Sequence, residues 1–265
     1  MEGPPRVHIL GTSSARPMPY RDNTSLVVEV GGELTLVDCS ANPVAKVLRL
    51  GLDPLRLSRV VVTHAHPDHT YGFPSLIHSL KTHRPARTQP LRLYAPKEAL
   101  DLLLGLSRLY GFDDPLRPPP PFDVSFHETP LREEHLLVDA GDYRIRTTPV
   151  VHKRREVVAV RFDDGRSGRS LTYSADTEPC PALERLAAGT DLLIMEATRP
   201  REERLAGHSS AAEAGELAAR AGAKRLLLIH VLAENPREES ELTADAAKAF
   251  GGPVEIAEDM ESYPL

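Results

Sequence analysis

Cysteine occurs only twice in these 265 residues, at Cys39 and Cys180, and lysine only six times against 26 arginines. Two cysteines cannot build a disulfide framework, and neither lies in a metal-type cluster, so both read as buried thiols. No apolar run approaches the length that spans a bilayer, and the amino terminus lacks a basic segment followed by a hydrophobic one. The expectation is a cytoplasmic protein with no membrane partner. Positive charge is short as well. A net charge of −6 counts against a nucleic-acid binder that works by bulk electrostatics, while leaving room for a local basic patch beside an active site. The arginine bias and the 24 prolines suit a thermophile or a G+C-rich genome, and composition does not separate the two. Charged and apolar fractions are ordinary for a globular chain long enough to bury a sizeable core.

What is present is concentrated at Val60-Val61-Val62-Thr63-His64-Ala65-His66-Pro67-Asp68-His69. Three β-branched apolar residues bounded by polar sequence predict a short buried strand. The following loop carries three imidazoles and a carboxylate within six positions, and Pro67 helps to end the strand. Imidazole and carboxylate are the usual ligands of zinc and related ions. His64 and His66 could take one ion while Asp68 and His69 face a second.

This loop resembles the HxHxDH signature of the metallo-β-lactamase superfamily, in which the loop after a buried strand holds a two-metal site. A second resemblance, to the ribonuclease Z-like phosphodiesterase branch, lies in Gly11-Thr12-Ser13-Ser14 through Pro17 and in Arg21-Asp22-Asn23-Thr24-Ser25. The fold implied is a four-layer αββα sandwich, two mixed β-sheets face to face with helices outside and metals at one edge. Periodicity by itself supports mixed α/β. The resemblance runs from Val7 to Val231.

Along the chain, strands are expected at 6–10, 26–30, 33–37, 91–94, 143–150, 157–162, 170–174, 192–195 and 225–229. Gly31-Gly32 marks a hairpin turn. Helices are expected near 42–50, stopped by Gly51, at 72–80, 96–110 and 209–221, and after Pro236. Residues 111–121, with Pro118-Pro119-Pro120-Pro121, favour an extended polyproline segment. Candidate ligands lie on both sides of it, so a single domain over 1–265 is expected. Asp38 reads either as a helix cap or turn former, or as support for the metal loop. His8, His78, His83, His127 and His135 read as ordinary core or surface histidines.

His64, His152, Asp176 and His230 each stand just after a β-rich run, in the order of the superfamily's later motifs. The resemblance implies that His64, His66 and His152 bind one divalent ion, that Asp68, His69 and His230 bind a second, and that Asp176 bridges. The ions are expected to be zinc, with manganese or iron also accepted by such donors. A hydroxide shared by the ions would attack phosphorus, with Asp68 orienting it or taking its proton.

Gly207-His208-Ser209-Ser210 resembles the GHS/T segment of the same branch, where the histidine helps to protonate the leaving oxygen. His208 is otherwise a polar residue before a helix capped by Ser209. Lys153-Arg154-Arg155 could draw a phosphate towards the metals or be a solvated charge run. Lys153, Arg154 and Ser209 are therefore the candidate substrate contacts. Only 23 residues separate His152 from Asp176, too few for the long arm with which bacterial ribonuclease Z grips tRNA. The expected substrate is a small or exposed phosphodiester, with RNA less favoured and a homodimer possible. Three alternatives stay open: a ribonuclease Z-type tRNA 3′ endonuclease, a thioester, lactone or β-lactam hydrolase, and a non-catalytic metal-containing accessory protein.

Overall fold

A computed structural model describes residues 4–112, 121–200 and 203–265; the proline run at 118–120 lies outside them. The first sheet is built from β1 (Arg6–Gly11), β2 (Ser25–Val30), β3 (Glu33–Val37), β4 (Leu57–Val61), β5 (Leu91–Ala95) and β6 (Val124–Glu128). The second comprises β7 (His135–Asp139), β8 (Tyr143–Pro149), β9 (Val158–Asp164), β10 (Ser170–Tyr173), β11 (Leu192–Glu196), β12 (Arg225–Ile229) and β13 (Val254–Ile256). A last strand, β14 (Ser262–Pro264), returns to the first sheet and pairs antiparallel with β1. The spatial orders are β14-β1-β2-β3-β4-β5-β6 and β13-β12-β11-β10-β9-β8-β7. In each sheet one half is antiparallel and the other parallel, with β3 to β6 and β10 to β13 the parallel sets.

Both faces of each sheet are covered, which is why many strands read as unbroken apolar runs rather than as alternation. The period of two still sorts the side chains. In β2, Leu26, Val28 and Val30 join the core shared with the second sheet, whereas Val27 joins the layer beneath the helices. That outer layer packs α1 (Pro43–Arg49), α3 (Phe73–Thr82) and α4 (Lys97–Leu109) on the first sheet. A one-turn helix, α2 (Pro67–Thr70), precedes α3. On the second sheet lie α5 (Pro181–Leu186), α6 (Ala211–Ala221) and α7 (Pro236–Phe250). The result is the expected αββα sandwich. Among the described residues no helix is long and apolar enough to cross a membrane.

The β2–β3 hairpin turns on Gly31 and Gly32, at φ +57° and +75°, as a type I′ turn requires. A methyl group on Gly31 would also stand 2.4 Å from the Tyr143 ring of the opposite sheet. Three expectations are corrected. Residues 67–70 are helical rather than loop, α5, β13 and β14 had no counterpart in the pattern, and α6 starts at Ala211 with Ser210 as its cap. Ser210 forms a capping box with Glu213, so Ser209 is left free of that role.

Candidate metal centre

The first group of candidate ligands is set by one buried carboxylate. Asp38 ends β3 with φ +60°, a conformation that Asp tolerates better than most residues. Its Oδ1 accepts hydrogen bonds from the Thr63 backbone N–H at 2.8 Å and the Thr63 hydroxyl at 2.9 Å. Its Oδ2 accepts from His69 Nδ1 at 2.7 Å and from the Tyr173 hydroxyl at 3.3 Å. Asp38 thus grips both ends of the 63–69 loop, and α1 is capped by Asn42 instead. With Nδ1 spent, His69 turns Nε2 inward, where it is buried without a hydrogen-bond partner.

The second group arrives singly from strand ends. His152 follows β8 and donates Nδ1–H to the Gly207 carbonyl at 2.6 Å. Asp176 follows β10 after Ala175, which has φ +54°, and His230 follows β12 with φ +56°. Among the described residues seven non-glycine positions have positive φ, and Asp38, Lys153, Ala175 and His230 are candidate ligands, their neighbours or their support. Such conformations cost about 1–3 kcal/mol each. Burial of a Leu or Ile contributes about 1.5–3 kcal/mol, so one or two fully buried side chains of β10 or β12 offset each. Strain of this kind collects where a side chain must be aimed.

The two groups meet. Ligand atoms of His64, His66, His152 and Asp176 lie within 4.8 Å of one another, as do those of Asp68, His69 and His230. Asp176 stands between them: Oδ2 is 3.7 Å from His64 Nε2 and 3.3 Å from His230 Nε2, and Oδ1 is 3.5 Å from His69 Nε2. Asp68 Oδ2 lies 3.4 Å from His69 Nε2 and 3.7 Å from His230 Nε2.

The donor set fits divalent cations. His69 Nε2, His230 Nε2 and Asp176 Oδ1 are buried with no hydrogen-bond partner, a cost that native proteins seldom leave uncompensated. His66 Nδ1 stands 3.1 Å from His64 Nε2 and 3.2 Å from His152 Nε2. Three converging ring nitrogens cannot all be satisfied by protons, whereas a cation satisfies them together. Burial holds the pKa of His64 well below the ordinary histidine value, and burial likewise lowers those of His66 and His152. Neutral imidazole is the ligating form. Burial alone would raise Asp68 and Asp176, but the neighbouring imidazoles hold both carboxyls far below the usual range.

Beside this cluster lies a pair of which sequence reasoning found one half. His208 Nδ1 is 3.1 and 3.2 Å from the two carboxyl oxygens of Glu196, the last residue of β11. Glu196 also accepts from the Thr177 N–H at 2.5 Å and the Thr198 hydroxyl at 2.7 Å. Burial, reinforced by the charge of Asp176, pushes its pKa well above the carboxylate range. The only signal in the sequence was an acid closing an apolar strand, Leu-Leu-Ile-Met-Glu. A ring nitrogen of His208 lies within 4.8 Å of ligand atoms of Asp176 and His230.

The remaining candidates separate. Ser209 is buried and donates its hydroxyl to the Thr177 carbonyl at 2.7 Å, so it ties two loops together and has no hydroxyl proton left for a substrate. Lys153 and Arg154 are exposed on the turn after His152. His8 bonds Ser262 and faces Glu29, and His78, His83, His127 and His135 stand outside the cluster. Both cysteines are free and buried.

Comparison with known proteins agrees in fold and family. A family model described as the beta-lactamase superfamily domain matches residues 35–231. The chain is 29% identical over 303 residues to the ribonuclease Z of Methanothermobacter thermautotrophicus, covering 96% of this chain and 94% of that one. It is 31% identical over 274 residues to the ribonuclease Z of Mycobacterium marinum, covering 96% of each. Among solved structures, the short form of human tRNase Z superposes with a TM-score of 0.79 at 23% identity, over 98% of this chain and 99% of that one.

Proposed function

The chain belongs to the β-lactamase superfamily and is a metal-dependent hydrolase of its phosphodiesterase branch, and from that premise we propose how its residues divide the work. His64, His66 and His152 would hold one zinc ion and Asp68, His69 and His230 a second, with Asp176 in reach of both groups. Zinc suits a set of five imidazoles and two carboxylates. Ions bound there supply positive charge for the non-bridging phosphate oxygens and bring the pKa of water towards neutrality.

The protein's own groups do the rest. Asp68, kept ionised, accepts a hydrogen bond from the attacking water and orients it. Asp38 fixes the tautomer of His69, and the Gly207 carbonyl fixes that of His152, so that each presents Nε2. His208 and Glu196 share a proton between Nδ1 and the carboxyl. Whether that proton sits on the imidazole or the carboxyl, a second one on the pair stands at His208 Nε2. Its delivery to the leaving oxygen is worth ~10²–10⁴-fold for an alkoxide.

The observation that carries this reading is the buried His208–Glu196 pair set beside the metal cluster, since a centre that only bound metal has no use for a proton donor. The test is turnover by the metal-loaded protein on bis-p-nitrophenyl phosphate, a cyclic nucleotide, a precursor tRNA with a 3′ trailer, a thioester and a lactone. Hydrolysis of phosphodiesters is expected. Turnover confined to the thioester or lactone would overturn it.

Within that reading, cleavage of precursor RNA is favoured by the relatives. The mycobacterial ribonuclease Z is spanned to 96% by a 274-residue alignment, so it is scarcely longer than the 265 residues here. The shortness of the 153–175 segment, which forms β9, β10 and their turn, therefore weighs less against RNA than the sequence suggested.

A further inference from the structure

Several arginines of the loops are spent in ion pairs. Arg16 pairs with Glu234, Arg155 with Glu98, Arg199 with Glu203, and Arg204 with Glu178 and Glu213. Among the described residues of the turn after His152, Lys153 and Arg154 form neither an ion pair nor a hydrogen bond. Three consecutive basic residues are thus not equivalent, and of the three Arg155 alone is ion-paired.

Lys153 is also held in place. Its backbone has φ +53°, a conformation that costs a lysine energy and lasts only where the surroundings fix it. Its stem lies on Gly207, where a methyl group would stand 2.8 Å from Lys153 Cγ and 3.3 Å from Cε. Gly207, at φ +86°, receives the His152 ring on its carbonyl and donates its N–H to Glu178 at 2.7 Å. Its successor is His208. An uncompensated ammonium is therefore fixed on the side of the cluster where the proton donor stands.

We propose that Lys153, flanked by Arg154, forms an anion subsite on the leaving-group side, so that the preferred substrate carries a second phosphate on the fragment that departs. The proposal rests on the phosphodiesterase reading and narrows it to polyanionic substrates, of which an RNA strand is one. Phosphate on a lysine ammonium is a charge-assisted contact, and among the described residues no acid pairs with this one.

Two measurements decide it. Kinetics on the ribodinucleotides UpU, pUpU and UpUp place the extra phosphate on either side of the scissile bond. The wild type is expected to favour, about tenfold in kcat/KM over UpU, the form whose extra phosphate lies on the departing fragment, which the products identify as the one released with a free hydroxyl; a preference for the other form overturns the proposal. Lys153→Gly, chosen because glycine accepts this backbone without strain, should bring that ratio to within twofold. Lys153→Arg should keep most of it, and so should Arg155→Ala, whose guanidinium faces Glu98. Calorimetric binding of uridine 3′,5′-bisphosphate against the two uridine monophosphates reads the same preference without turnover. If no dinucleotide is cleaved, the phosphodiesterase reading fails and calorimetry alone decides the subsite. Equal binding of bisphosphate and monophosphates by the wild type, or a preference that survives in Lys153→Gly, overturns the proposal.

Discussion

The two sheets contribute to one site in opposite ways. The first delivers His64, His66, Asp68 and His69 on a single loop and one helical turn, all secured by Asp38. The second delivers His152, Asp176, Glu196 and His230 one at a time from the ends of β8, β10, β11 and β12, with His208 from the loop before α6. Hydrogen bonds from Asp38, at the end of a strand in the same sheet, hold the two ends of the first group. The second exists only once β8 to β12 are in register and three loops have closed over them. A local half and an assembled half make different demands on sequence, and they should fail differently when cut.

The largest effect should come from the residue that joins the halves. Asp176→Ala removes the carboxylate that reaches His64, His69 and His230 together. Metal content measured by mass spectrometry should fall from the proposed two ions per chain to near none. Turnover should fall by ~10³-fold or more, beyond the 10²–10³ that loss of one transition-state donor costs. His152→Ala should forfeit only one ion. If Asp176→Ala keeps a full complement on the four ligands of the loop, the two halves are not interdependent.

His208→Ala cuts only the assembled half, and should leave metal content intact. Cleavage of UpU, which expels an alkoxide, should slow by ~10²–10³-fold. Bis-p-nitrophenyl phosphate, whose leaving group departs without a proton, should lose far less. Glu196→Gln should show the same contrast in weaker form. An equal loss on both substrates would mean that His208 acts on something other than the leaving group.

This division also explains what could be read from the chain. The loop at 63–69 is legible because its chemistry is packed into adjacent positions. His152, Asp176 and His230 each look ordinary alone, and became candidates through their order and their place after β-rich runs. Glu196 shows in sequence only as an acid closing an apolar strand, since its partner His208 lies 12 residues away. The choice for Asp38 between helix cap and loop support was open in sequence, because both roles ask for a short acid before a helix. Thr63 and His69 decide it in three dimensions. The boundary of α6 was misjudged by two residues because Ser209 and Ser210 are both good caps, and only the reach of Glu213 selects the second.

Asp38→Asn probes the local half with its shape retained. Asparagine keeps the left-handed backbone and one acceptor for Thr63, but loses the charge that, against burial and together with Asp176, raises the pKa of His69. Partners that orient a ligating histidine typically tune metal affinity 10–100-fold. The ion assigned to Asp68, His69 and His230 should weaken by that amount in competition with a chelator, while the other keeps its affinity. Equal weakening of both would mean that Asp38 supports the whole cluster and not one side.

The smallest effect belongs to a carboxylate that neither half uses. Asp191 lies just before β11, at the strand end opposite Glu196, and accepts from the Ser170 N–H at 2.8 Å and from Lys224 at 2.8 Å. Burial would raise its pKa, but Lys224, Ser170 and Arg169 together hold it below the ordinary value. A lowered folded pKa means that the stabilisation is complete above the unfolded value of about 3.9 and is lost as pH falls through the folded one. Lys224 and Arg169 are largely exposed, so screening limits the contribution to about 1 kcal/mol. In urea denaturation Asp191→Asn should therefore be less stable than the wild type by that amount at pH 7, and the gap should narrow steadily below pH 4. Metal content and turnover should match the wild type at neutral pH. A loss of either would show that aiming ligands from strand ends depends on the far edge of the sheet, and the assembled half would then extend through its whole length.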